Sequence, residues 1–135
     1  MRRILLAVVI AAAFAAEAAA AAPRCPAGLR PATTAEVFFG QDIAGGGEVS
    51  DADWRGFLSA EVSPRFPDGL TVADVYGQWR GPKGSFVREP SKALFVVLGH
   101  RGDDQRRLAL GRDAYKRQFR QDSVLLVEER ACVGF

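Results

Sequence analysis

The sequence predicts an α+β fold: a ferredoxin-like βαββαβ sandwich, with a four-stranded antiparallel sheet and two helices on one face. Three observations predict it. Four segments of strand composition and two of helical period follow one another in the order β-α-β-β-α-β. The middle two strands are separated only by Gly81-Pro82-Lys83-Gly84, a hairpin connector with proline at a turn's second position. Each remaining strand connection runs through a helix, and right-handed crossovers then place both helices on the same side of the sheet.

Residues 21–33 are rich in Pro, Ala and Gly and read as an extended lead-in. Residues 34–39 (TAEVFF) have strand character, because Val37, Phe38 and Phe39 are strand formers. Residues 40–47 form a loop with Gly45-Gly46-Gly47 at its centre. Ser50 is the expected N-cap of the first helix, with Asp51 and Asp53 at the positive end of its dipole. Trp54, Phe57, Leu58 and Val62 share a helical face, and Pro64 stops the helix. Pro67-Asp68-Gly69 turns the chain into a second strand, 70–80. The third strand, 85–98, is expected to break or bend at Pro90, which has no N–H for a ladder. A second helix, 103–120, presents Leu108, Tyr115 and Phe119 on one face. Residues 123–127 (SVLLV) form a fourth strand, and 131–135 add a last extended piece.

Strands one, three and four carry apolar residues at both parities: Val37/Phe38, Phe95/Val96 and Leu125/Leu126. Helices cover one face only, and monomers rarely expose a large apolar patch. A homodimer formed through the open sheet face would cover the other. The N-terminal arm or C-terminal tail, or an apolar ligand, are the alternatives.

The chain's first residues carry an address. Met1-Arg2-Arg3, an apolar run over residues 4–14 and alanines almost unbroken to Ala22 have the layout of a secretory signal peptide. Cleavage is expected near residues 19–21, which makes 1–20 a signal peptide, 21–33 a lead-in and 34–135 a single domain. Glu17 interrupts the apolar run and argues against a retained anchor. The expected location is periplasmic or secreted, with membrane contact only through the signal peptide before cleavage. Removing residues 1–20 takes the net charge from +2 to +1, so nothing electrostatic points to nucleic acid. In an oxidising compartment Cys25 and Cys132 are expected to form a structural disulfide, with free thiols or a redox pair as alternatives.

Chemical motifs are sparse. Gly45-Gly46-Gly47 lacks the lysine of a phosphate loop, and Glu48, Asp51 and Asp53 would repel a phosphate. His100, the single histidine, offers no metal site, and no serine-hydrolase elbow is present. No catalytic residue, metal or cofactor is therefore assigned. The arginines of the second helix read as a solvated face, with Asp103–Arg107 and Asp113–Arg117 spaced for helix pairs. The densest polar cluster is Tyr76, Gln78, Trp79 and Arg80, facing Arg88, Glu89 and Lys92 across the hairpin. Alternation puts Tyr76, Gln78 and Arg80 on one face and Trp79 on the other. Arg80 and Arg88 near Glu89 form either a structural ion pair or a clamp for a carboxylate ligand, with Tyr76 and Trp79 as its apolar wall. This is the candidate ligand-binding site.

The run from Val62 to Val72, with Arg65-Phe66-Pro67-Asp68-Gly69-Leu70-Thr71 at its centre, resembles a bacterial exported family known as domain of unknown function 3574. Gly77-Gln78-Trp79-Arg80, Arg88-Glu89-Pro90-Ser91-Lys92, residues 34–40 and the terminal Cys132-Val133-Gly134-Phe135 carry the same resemblance, which spans nearly the whole mature chain. Ser63 stands where the family pattern has threonine. The resemblance implies one exported domain and no particular mechanism. The expected function is an exported, non-catalytic binding or accessory module for a small anionic or apolar ligand or a protein partner. A cofactor-independent enzyme of the dimeric α/β-barrel type, with Tyr76, Arg80 or His100 moving protons, is one alternative. A structural protein of the cell envelope is the other.

Overall fold

In the computed structural model, β1 (Arg30–Gly40), α1 (Asp51–Phe57), β2 (Thr71–Arg80), β3 (Phe86–Leu98), α2 (Asp104–Phe119) and β4 (Leu125–Val133) follow in βαββαβ order. The structure describes residues 24–81, 83–99 and 102–135. The signal segment, Pro82 and His100 lie outside these described residues. The strands pair antiparallel in the order β2-β3-β1-β4. This is the ferredoxin-like sandwich that the order of elements predicts. Among the described residues no helix is long and apolar enough to cross a membrane.

Strand alternation divides the sheet cleanly. Ala35, Val37 and Phe39 of β1 and Leu94, Val96 and Leu98 of β3 are buried toward the helices. Trp54 and Phe57 of α1, and Leu108, Tyr115 and Phe119 of α2, close over them. Five aromatic rings meet there: Phe39 lies 4.8 Å from Tyr115 and 5.2 Å from Trp54, Phe57 lies 5.0 Å from Tyr115, and Tyr115 lies 4.8 Å from Phe119. Such tilted and edge-on pairs contribute about 0.5–1.5 kcal/mol each beyond the area they bury. The Tyr115 hydroxyl, inside this cluster, donates to the Gly40 carbonyl at 2.9 Å. The opposite parity, Phe38, Phe95 and Leu125, faces away from the helices, with Phe95 and Leu125 exposed.

The first helix begins as its cap predicts, with the Asp53 N–H donating to Ser50 Oγ at 3.1 Å. It then widens into a π-helical turn, Leu58–Val62, where the Ser63 N–H reaches the Leu58 carbonyl at 2.8 Å. Widening keeps Val62 buried and brings Phe66 into the core behind Pro64.

Several boundaries differ from the sequence expectation. The first strand starts at Arg30 rather than 34, because the last part of the lead-in pairs with the end of β4, Arg30 opposite Val133. For the same reason β4 runs unbroken through residues 125–133, where two short pieces were expected. Pro90 does not interrupt β3. Its carbonyl accepts from the Gln41 N–H at 3.0 Å, so its missing N–H also falls on the β1 side, beyond the last β1 rung at Gly40. No hydrogen bond to β2 is lost. On α2, Asp113 pairs with Lys116 at 2.8 Å rather than with Arg117. Arg107 pairs with Asp103 at 3.1 Å as spaced, yet it is half-buried and also bonds Asp104 and the Arg65 carbonyl while lying over the Phe66 ring.

Cys25 and Cys132 are joined in a disulfide, half-buried, with Cα atoms 5.5 Å apart. It closes a loop whose ends are 107 residues apart and sits where β1 begins against the end of β4. Replacing both cysteines by serine is expected to lower unfolding free energy by about 2–4 kcal/mol, since the unfolded chain regains the freedom of a long loop. Denaturant melting checks this through the midpoint. An unchanged midpoint would mean that the β1–β4 ladder holds the chain ends without the bond.

Candidate functional site

A groove of about 700 Å³ lies on the open sheet face. Its floor comes from one parity of three strands: Phe38 and Gly40 of β1, Val75 and Trp79 of β2, and Glu89 and Ser91 of β3. Leu125 of β4 closes the floor beside Phe38, its ladder partner. Two connections form its end wall: residues 42–44 after β1 and residues 120–123 after α2.

Local sequence explains why those connections rise there. Gln41 is buried, donates its side-chain amide to the Val49 carbonyl at 2.8 Å, and accepts the Val49 N–H on its own carbonyl. The glycine-rich excursion 42–48 is thereby pinched at its base, and Asp42 and Glu48 form a bridge across it. Helix α2 ends at Arg120, whose left-handed backbone (φ 51°) turns the chain toward the sheet's edge. The side-chain amide of Gln121 then donates to the Asp42 carbonyl at 2.6 Å and ties the two walls together.

Glu89 is the half-buried ionisable group of the groove floor. It stands opposite Gly77 in the β2–β3 ladder, and its carboxylate lies against Gly40. A Cβ at Gly40 would come within 2.8 and 2.9 Å of its oxygens. Glycine at position 40 is what lets the carboxylate lie down on the strand. The Trp79 indole and the Asp42 backbone amide lie beside it and favour its ionised form. Burial first, and the neighbouring Asp42 charge second, push the Glu89 pKa above the ordinary 4.5, and those two polar groups offset only part of the rise.

The structure separates the cluster seen in the sequence into two sets. Trp79 and Glu89 share the groove face. Arg80, Arg88 and Lys92 have the opposite parity, and each has a partner there. The Arg88 guanidinium donates to Gln78 Oε1 at 2.6 Å, and Arg80 lies 5.6 Å over the Phe86 ring. Lys92 is buried and bridges the carboxylates of Asp51 at 2.7 Å and Asp74 at 2.5 Å. These contacts raise the Lys92 pKa, and the Lys92 ammonium lowers that of Asp51. Lys92 thus clamps the start of α1 to β2. Tyr76 and Gln78 border the groove from β2, with the Tyr76 side chain fully out in solvent. An ion pair from Arg80 or Arg88 to Glu89 does not form, because strand parity puts guanidinium and carboxylate on opposite sides of the sheet. Two contributors escape the sequence reading altogether: Gly40, and the pair of wall connections around Asp42 and Gln121. The one signal for Gly40 is a glycine closing a strand of bulky residues. Among the described residues no three His, Cys, Asp or Glu side chains converge to hold a metal ion.

The family model "Protein of unknown function (DUF3574)" matches residues 34–135, and the chain belongs to that family. No curated protein matches it. Two solved structures share its fold. A phage SAM lyase in complex with S-methyl-5'-thioadenosine superposes with a TM-score of 0.58 at 14% identity, over 84% of this chain and 95% of that one. The apo state of a phage SAM lyase gives 0.56 at 15% identity, over 78% and 90%. At these identities the likeness is one of fold.

Glu89 makes a pH signature. Its folded-state pKa is raised, so the folded protein takes up that proton more readily than the unfolded chain. The ionised form therefore costs stability above the ordinary carboxylate range, and the cost disappears as pH falls through the folded-state value. Glu89→Gln is expected to raise the melting temperature at pH 7, with the gain shrinking toward pH 4. A variant less stable than wild type at pH 7 would show that the carboxylate contributes to folding.

Proposed function

We propose that this member of the DUF3574 family is an exported small-molecule-binding protein, and that the groove on the open sheet face is its binding site. The observation that carries the reading is the groove itself: about 700 Å³, with Phe38, Val75, Trp79 and Leu125 along its floor beside the Glu89 carboxylate. Ligand sites typically have this size and this mixture of apolar lining with few placed polar groups. Tethered wall connections and a carboxylate laid against Gly40 pre-form the site, which reduces the ordering cost of binding. Export to the periplasm or medium is supported by the signal-like first 20 residues and by the disulfide, a bond suited to an oxidising compartment.

A second reading, a cofactor-independent enzyme, is favoured by one observation. A carboxyl with a raised pKa inside a groove is suited to moving protons. The structural neighbours are described as lyases of SAM, and one holds a nucleoside thioether. SAM and S-methyl-5'-thioadenosine are accordingly sensible probes for turnover as well as for binding.

Native mass spectrometry of protein recovered from its own envelope or medium tests the leading reading. The expected spectrum shows mature protein lacking residues near 1–20, two hydrogens lost to the disulfide, and a retained small-molecule mass. Val75→Trp, which fills the groove from its floor, should abolish that mass while the fold persists. A mass retained by Val75→Trp would place the site elsewhere. A bare protein that also binds nothing in a small-molecule screen would favour the structural envelope role. The same spectrum counts subunits, and a monomer would rule out a second copy as the cover of the rest of the open face.

A further inference from the structure

Resting on the binding-site reading above, we propose that the groove selects an organic cation, a protonated amine, quaternary ammonium or sulfonium group with apolar substituents, seated between the Glu89 carboxylate and the Trp79 indole. The argument begins with Glu89's neighbours. Among the described residues no Lys or Arg nitrogen lies within ion-pair distance of it. The hairpin's own cations are engaged on the other face: Arg80 over Phe86, Arg88 on Gln78, and Lys92 between Asp51 and Asp74. Here the sheet's alternation keeps the hairpin's cations away, and Arg120, on the end wall of the same groove, forms no ion pair with Glu89.

Space over the carboxylate is also left clear. Its ladder partner is Gly77 and the residue beneath its carboxylate is Gly40, so neither of these two positions projects a side chain across it. The Trp79 indole and the Asp42 amide are the polar groups beside it, and a carboxylate has about four acceptor sites, so acceptor capacity remains for a ligand. Charge around the groove has the matching sign. Glu89, Asp42 and Asp122 line it against one arginine, Arg120, giving a net charge of −2. A negative, partly desolvated groove concentrates cations, and an aromatic face beside a carboxylate adds cation–π attraction to the ionic one. Phe38, Val75, Val87 and Leu125 then favour a cation with methyl or methylene groups over a small inorganic one.

Titrating Trp fluorescence reads the site directly. The chain has two tryptophans; Trp54 is buried in the core, while Trp79 is 47% exposed in the groove. The probes are choline and benzyltrimethylammonium, each against its neutral carbon isostere, 3,3-dimethylbutan-1-ol and neopentylbenzene, with benzoate as an anion. Wild type is expected to bind a cation about tenfold more tightly than its neutral counterpart and to reject benzoate. In Glu89→Gln, whose fold is checked by its melting curve, that preference should collapse toward unity. Cation affinity should also fall as pH drops through the range in which Glu89 takes up its proton. The other ionisable groups facing Glu89 are Asp42 and Asp122 on the walls, Arg120 beside them, and Tyr115 beneath Gly40. Asp42→Asn and Asp122→Asn, which make the groove less negative, should weaken cation binding by less than Glu89→Gln does; an equal or larger loss would move the cation's seat from Glu89 to the wall. Neutral compounds or benzoate binding as tightly as the cations, in wild type but not in Val75→Trp, would overturn the cation class and leave the binding site standing. Failure of all five probes and of the wider screen would overturn both.

Discussion

The hydrogen bond from the Tyr115 hydroxyl to the Gly40 carbonyl is the constraint on which the remaining geometry depends. Tyr115 is wholly buried among four other aromatic rings, and burial, with the Glu89 charge adding to it, raises its pKa so that it stays a neutral donor. Its acceptor is the last residue of β1. One peptide unit therefore serves both sides of the sheet: from below it receives the helix layer's hydroxyl, and from above it supports the Glu89 carboxylate. Fixing Gly40 also fixes the departure angle of the chain at Gln41, and with it the connection that becomes a wall of the groove. The hydrophobic core positions the site through this contact.

Much of the fold was legible because its signals are local. The Ser50 cap, the spacing of Trp54, Phe57 and Val62, and the Leu108, Tyr115, Phe119 face each lie within one element and depend on little outside it. The strand ends were less legible, since pairing between sequence-distant segments decides them. Arg30 is in a strand because Val133 lies beside it, and nothing in the composition of either segment says so. Pro90 illustrates the same point from the other direction: a residue poorly suited to a ladder is tolerated because the strand on its missing-donor side has already ended.

The site was legible in its location and less so in its chemistry. The hairpin that holds Trp79 and Glu89 stood out by its density of polar and aromatic residues. Reading that density as one cluster overlooked the sheet between its members, although alternation alone already separates Glu89 from Arg88. Once parity is applied, the cations form a structural set on one side and an unpartnered carboxylate remains on the other. The walls were beyond local reading: Asp42 and Gln121 are 79 residues apart, and the contact between them exists only after the sheet has formed. A groove whose floor carboxylate has no ion pair with a cation among the described residues stores an imbalance that folding alone would not favour. This is the pattern expected where some stability is given up for function.

The disulfide has a mechanical consequence. Cys25 lies five residues before the first strand and Cys132 one residue from the end of the last, and these two strands are neighbours in the sheet. Tension applied to the chain from outside these two residues is carried by the sulfur–sulfur bond and does not reach the ladders between them. The domain is then inextensible along its own backbone, and the groove keeps its shape under load. Reducing the bond would transfer that load to the β1–β4 ladder, which holds both the start of β1 and the Leu125 edge of the groove floor.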